Sequence, residues 1–187
     1  KPKSGHSTQH FWSGNLPVLI GTKQFGLARW LLAAIVGLAL ALAFPEPRWI
    51  ILAWLVPGAW LVVVSGERRW RLFGLAFVTA LVFRLVSLRF LLNMPHTAGA
   101  ISGWLALSFY SALYPAAWAW ICGDWLRNGL SKLQWPWVRR FSFGLFASAA
   151  WVGLEMLQAR VLGGYPWNFL GVSQFENLPL IQITSVA

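Results

Sequence analysis

Residues 72–92 read LFGLAFVTALVFRLVSLRFLL, and this stretch decides the fold. It matches the roughly 20 residues that a helix needs to cross the hydrocarbon of a bilayer. Only Arg84 and Arg89 carry charge within it. A helix on the surface of a soluble domain keeps one polar face for water. This one has none, and it predicts a membrane span.

Similar runs flank it. Residues 25–44, 49–64, 104–122 and 141–158 complete an expected all-α integral membrane fold, a bundle of about five transmembrane helices. Pro45-Glu46-Pro47-Arg48 closes the first run, since proline cannot extend the helical ladder. Pro57-Gly58 predicts a bend in the second. Arg29 stands where its long side chain can reach the headgroups. Residues 1–24 are polar and read as a cytoplasmic lead-in without the early apolar core of a signal peptide. Residues 25–187 form the transmembrane part, ending in an outer-face segment, 159–187. The chain starts at Lys1 and stops at Ala187 within an apolar run, so both ends read as cut.

Composition agrees. Hydrophobic residues make up 58% of the chain and charged residues 11%, where a soluble domain has about 25% charged. The net charge of +10 would suit nucleic acid, but the cations sit between the apolar runs. Arg68, Arg69 and Arg71 form one group; Arg127, Lys132, Arg139 and Arg140 form the next. That is the placement of the positive-inside rule and of attraction to anionic lipid, so no nucleic-acid partner is expected. The same asymmetry puts the N-terminus in the cytoplasm and everything after Gln158 on the outer, periplasm-like face.

Chemistry-bearing residues are few. Cys122 is the single cysteine, so no intrachain disulfide forms, and it reads as a buried structural thiol. His6, His10 and His96 are scattered, with no spacing that resembles a zinc site. No metal or cofactor is expected. There is no Ser/His/Asp set, no pair of carboxylates within reach and no phosphate-cradling glycine loop.

The fifth run carries a polar stripe. Ser148, Trp151, Glu155 and Gln158 share one helix face, and Gly144 with Ser148 would admit a close neighbouring helix. An ionisable group within a span needs a partner or a task. At ~1.5 Å rise per residue, Arg84 and Glu155 reach similar depth, which predicts an Arg84–Glu155 ion pair. Arg89, nearer the outer end, suits a lipid headgroup or simply reaches the interface. Gly163-Gly164-Tyr165-Pro166-Trp167-Asn168-Phe169 then predicts a non-helical turn. It is either an aromatic belt that ends a span or the lip of a substrate cleft.

Trp151-Val152-Gly153-Leu154-Glu155, followed by Gly164-Tyr165-Pro166-Trp167-Asn168-Phe169-Leu170-Gly171-Val172-Ser173-Gln174, resembles the apolipoprotein N-acyltransferase family. That family has a glutamate ending a span, then Gly-aromatic-Pro-Trp, then Gly-x-Ser-Gln; Pro179 and Gln182 continue the match. Phe44-Pro45 and Tyr114 fit more weakly. One position departs: the family often has arginine three residues after the glutamate, where this chain has Gln158, with Arg160 two positions on.

The resemblance implies an eight-span bundle of the bacterial inner membrane, joined to a periplasmic nitrilase-like α/β domain that lies beyond this sequence. Such enzymes move an acyl chain from a phospholipid donor to the amine of a diacylglyceryl-cysteine lipoprotein, through a Glu-Lys-Cys set and a cysteine thioester. None of Glu155, Lys132 or Cys122 matches that set, so no catalytic residue is assigned here. Trp167, Tyr165, Pro166, Glu155 and Arg89 are the candidate substrate- or lipid-facing residues. The rival reading is a non-catalytic membrane scaffold or lipid-binding protein. A transporter fits less well, since no internal repeat is visible.

Overall fold

A computed structural model of the protein describes residues 26–44, 49–130 and 136–183. The expected lead-in, the Pro45–Arg48 stop and Lys132 lie outside the described residues. Within them the chain is helical, without a β-strand: α1 Gly26–Leu42, α2 Ile51–Val64, α3 Arg69–Ser87, α4 Thr97–Leu130, α5 Trp137–Gln158 and α6 Leu178–Ile183.

The helices overrun the apolar stretches. α3 takes in Arg69 and Arg71 and gives way to a tighter 3-10 turn, Arg89–Asn93. α4 runs for 34 residues, absorbing most of the loop expected at 93–103 and part of the basic loop after 122. Hydropathy marks where side chains leave the hydrocarbon, but helical hydrogen bonding does not stop there. Alanine, arginine and leucine near the ends all favour the helix. α2 continues through Pro57 and α4 through Pro115, each as a single helix.

By length and composition, Arg69–Asn93 and Thr97–Arg127 can each cross a membrane, while Gly26–Leu42 and Ile51–Val64 are shorter apolar helices. The interior is mostly apolar, as in a water-soluble bundle, but the exterior is apolar too. Leu31 and Ile35 on α1, Leu55 and Val62 on α2, and Leu105 and Phe109 on α4 are all exposed. Thr79, Arg84, Ser108, Ser111 and Gln158 are buried. An apolar exterior around a partly polar interior suits lipid as solvent.

α3 lies at the centre, with α1 on one side and α4 on the other. Gly37 of α1 makes the first crossing possible: a Cβ there would stand 2.3 Å from the Thr79 carbonyl oxygen. α2, α4 and α5 meet at three indoles, with Trp118 centred 5.9 Å from Trp60 and 4.7 Å from Trp151. The Trp118 indole N–H donates to the Ala147 carbonyl at 2.7 Å, fastening α4 to α5. Where α1 meets the α2–α3 loop, Arg29 pairs with Glu67, which also lies 3.4 Å from Arg71. Arg29 is thus tied to the α2–α3 loop rather than to headgroups, because a carboxylate in reach offers a charge-assisted hydrogen bond.

Candidate functional site at the aromatic turn

α5 ends at Gln158 and the chain turns back beneath it. Leu162, Gly163 and Gly164 have φ of 54°, 87° and 78°. At Gly164 a Cβ would fall 2.2 Å from the Ala159 carbonyl oxygen, so only glycine lets the strand pass. The Tyr165 N–H then donates to the Gln158 carbonyl at 3.2 Å. Residues 164–169 are not helical. Asn168 takes a left-handed φ of 55°, and Leu170–Gln174 forms a 3-10 turn.

The turn is held by three separate contacts. The Trp167 ring stacks on Phe90 at 5.0 Å and on Tyr165 at 5.5 Å. The Leu170 N–H donates to Glu155 Oε1 at 2.7 Å, and the same oxygen accepts the Trp151 indole N–H at 2.8 Å. Beneath them, Arg84 Nη1 donates to the Trp167 carbonyl at 3.2 Å and Nη2 to Gln158 Oε1 at 3.1 Å. Burial pushes the Tyr165 phenol above its ordinary pKa, against the opposing pull of the Arg84 guanidinium. The phenol therefore stays neutral at physiological pH.

Among the described residues, the expected Arg84–Glu155 ion pair is not formed. The two side chains do reach the same level and line one cavity of about 10 Å³, room for roughly a single water. Glu155 is held instead by a backbone N–H that the 3-10 turn presents to it, and Arg84 by neutral acceptors. Gln158, at the position that departs from the family pattern, is fully buried and passes the contact on, its Nε2 donating to the Tyr165 carbonyl at 2.9 Å. Arg160 is exposed and donates to the Met156 carbonyl at 3.3 Å, so it does not take that place.

The remaining candidates fall around this centre. Trp167 is 48% exposed, and Pro166 and Arg89 are exposed beside it. Gly144 and Ser148 do not receive a neighbouring helix among the described residues. They face an apolar groove of about 550 Å³ between α2 and α5, lined also by Trp118, with Glu155 and Gln174 at one end. Gln174 closes that end by accepting the Trp54 indole N–H at 3.1 Å. Cys122 is buried in the core and His96 is exposed. No cluster of His, Cys, Asp or Glu that could hold a metal ion occurs among the described residues. The site thus joins an aromatic turn to an apolar groove that has a carboxylate and an amide in its lining.

Phe90, Trp54 and Gln174 were not legible as parts of this site. Only Gln174 had a signal, as the last residue of Gly171-Val172-Ser173-Gln174.

The apolipoprotein N-acyltransferase N-terminal domain matches residues 36–187. The chain belongs to that family. Curated relatives carry the same name: the apolipoprotein N-acyltransferase of Geobacter metallireducens is 34% identical over 164 residues, covering 84% of this chain and 29% of that protein. The one from Gloeobacter violaceus is 34% identical over 158 residues, covering 80% and 29%. That from Chromobacterium violaceum is 30% identical over 160 residues, covering 80% and 28%. The chain thus spans under a third of the length of the relatives it matches, and its aromatic turn lies inside the matched region.

Proposed function

We propose that this chain is the membrane part of an apolipoprotein N-acyltransferase. The whole enzyme would move an acyl chain from a phospholipid to the N-terminal amine of a diacylglyceryl-cysteine lipoprotein. In this reading the bundle crosses the bacterial inner membrane about five times, with its N-terminus cytoplasmic and the turn after Gln158 periplasmic. The Glu-Lys-Cys chemistry belongs to a nitrilase-like domain outside this sequence. The bundle supplies lipid access and substrate positioning.

One observation carries the proposal. The turn sets an exposed indole, Trp167, directly before the residue pair that leads to Leu170, and Leu170 is fixed to Glu155 at the head of an apolar groove. An amphipathic ring at the headgroup level beside an apolar channel suits a molecule with a polar head and acyl tails. Trp167→Ala in the intact protein should lower acyl transfer by about tenfold and leave thermal unfolding of the bundle unchanged. Activity at the wild-type level would reduce the turn to an interfacial anchor. The scaffold reading would then gain ground if the intact protein also bound phospholipid without transferring its acyl chain.

A further inference from the structure

Arg84 is 2% exposed, and its guanidinium meets no carboxylate at ion-pair distance among the described residues. A buried charge is costly, and a leucine would fill the space between helices without that cost. The contacts suggest what the charge is for. Its two terminal nitrogens reach two points on either side of the turn, Gln158 Oε1 and the Trp167 carbonyl. Gln158 relays the first to the Tyr165 carbonyl. The carbonyls flanking Pro166 are therefore both fastened from below, by one planar group and its relay. The rings of Tyr165 and Trp167 stack on each other, within 23° of parallel.

From this geometry we infer that Arg84 and Gln158 are positioning residues that set the Tyr165–Trp167 ring pair for substrate. The inference rests on the acyltransferase reading and adds the internal strut to it. Arg84 touches no substrate. It acts through the carbonyl of Trp167, while Phe90, six residues on and just past α3, grips the ring of the same residue at 5.0 Å. α3 thus holds the backbone of Trp167, and the 3-10 turn that follows it holds the side chain. The fork is essential: a lysine ammonium in its place meets one acceptor or the other, not both along a fixed plane.

The test uses the intact protein in phospholipid vesicles, with a diacylglyceryl-cysteine peptide as acceptor. Arg84→Met and Arg84→Lys should each raise the KM for the peptide or for the phospholipid about tenfold, with kcat changed less than about threefold. Amide hydrogen exchange at Tyr165 and Leu170, the hydrogen-bonded amides of the turn, should quicken in both variants. Gln158→Glu keeps an acceptor for Arg84 but loses the donor to Tyr165, so exchange should quicken at the turn while the α3 amides stay protected. Arg84→Lys retains a charge and an apolar stem, so it reports even if Arg84→Met does not fold. Unchanged KM and unchanged exchange in Arg84→Lys would overturn the inference. A wild-type protein that transfers no acyl chain would defeat the acyltransferase reading instead, and the exchange comparison would still decide the strut.

Discussion

Gln158 is a fully buried amide at the end of α5, and it spends both halves of its side chain. Its oxygen accepts from Arg84 and its nitrogen donates to Tyr165. A hydrogen bond to a charged donor contributes about 1.5–3 kcal/mol, and truncating one partner strands the other. A double-mutant cycle with Arg84→Met and Gln158→Leu should therefore show a coupling of at least about 1 kcal/mol in unfolding free energy. Additive effects would mean that the two groups do not support each other. Gly164 poses a simpler constraint. Gly164→Ala should destabilise the turn by about 1–3 kcal/mol, through positive φ and collision with the Ala159 carbonyl. Equal stability of wild type and variant would show that the turn has another conformation open to it.

Elements were legible to unequal degrees, for physical reasons. The glycine pair and Pro166 announce a break from the helix, because each restricts backbone conformation locally. Helix ends are harder to read. Thr97 and Trp137 begin their helices well outside the apolar runs, where local composition is silent about hydrogen bonding. Arg84 and Glu155 make no direct ion-pair contact for a related reason. Rise per residue predicts depth, and the two residues do share a depth, but rotation about the helix axis and the partners on irregular segments decide contact. Glu155 is met by a backbone N–H from Leu170, a donor freed by a 3-10 turn that no sequence pattern marks. The indole cluster was equally hidden, since Trp60, Trp118 and Trp151 come from three helices far apart in sequence. Trp118→Ala should cost about 3–5 kcal/mol, as expected for a large ring lost from a packed interior. It should also detach α5 from α4, seen as faster amide exchange around Ala147. A smaller loss confined to the side chain would mean that the cluster fills space without joining the helices.

Across the whole molecule, an apolar exterior encloses the buried Arg84–Gln158 contact, and the aromatic turn caps the bundle at that end. Arg29, Glu67 and Arg71 gather at the other end. In the proposed orientation this second end faces the cytoplasm. In a Cys122→Ser background, Met94→Cys should react with a membrane-impermeant maleimide in intact spheroplasts, and Gly66→Cys only after permeabilisation. The reverse pattern would invert the topology and take the turn away from the periplasm. The most direct measurement is the mass of a diacylglyceryl-cysteine peptide incubated with the purified intact protein and phospholipid vesicles. A gain of one acyl chain at the peptide amine, weakened by Trp167→Ala, is the predicted result. A folded protein that binds the vesicles and leaves the peptide mass unchanged would contradict it.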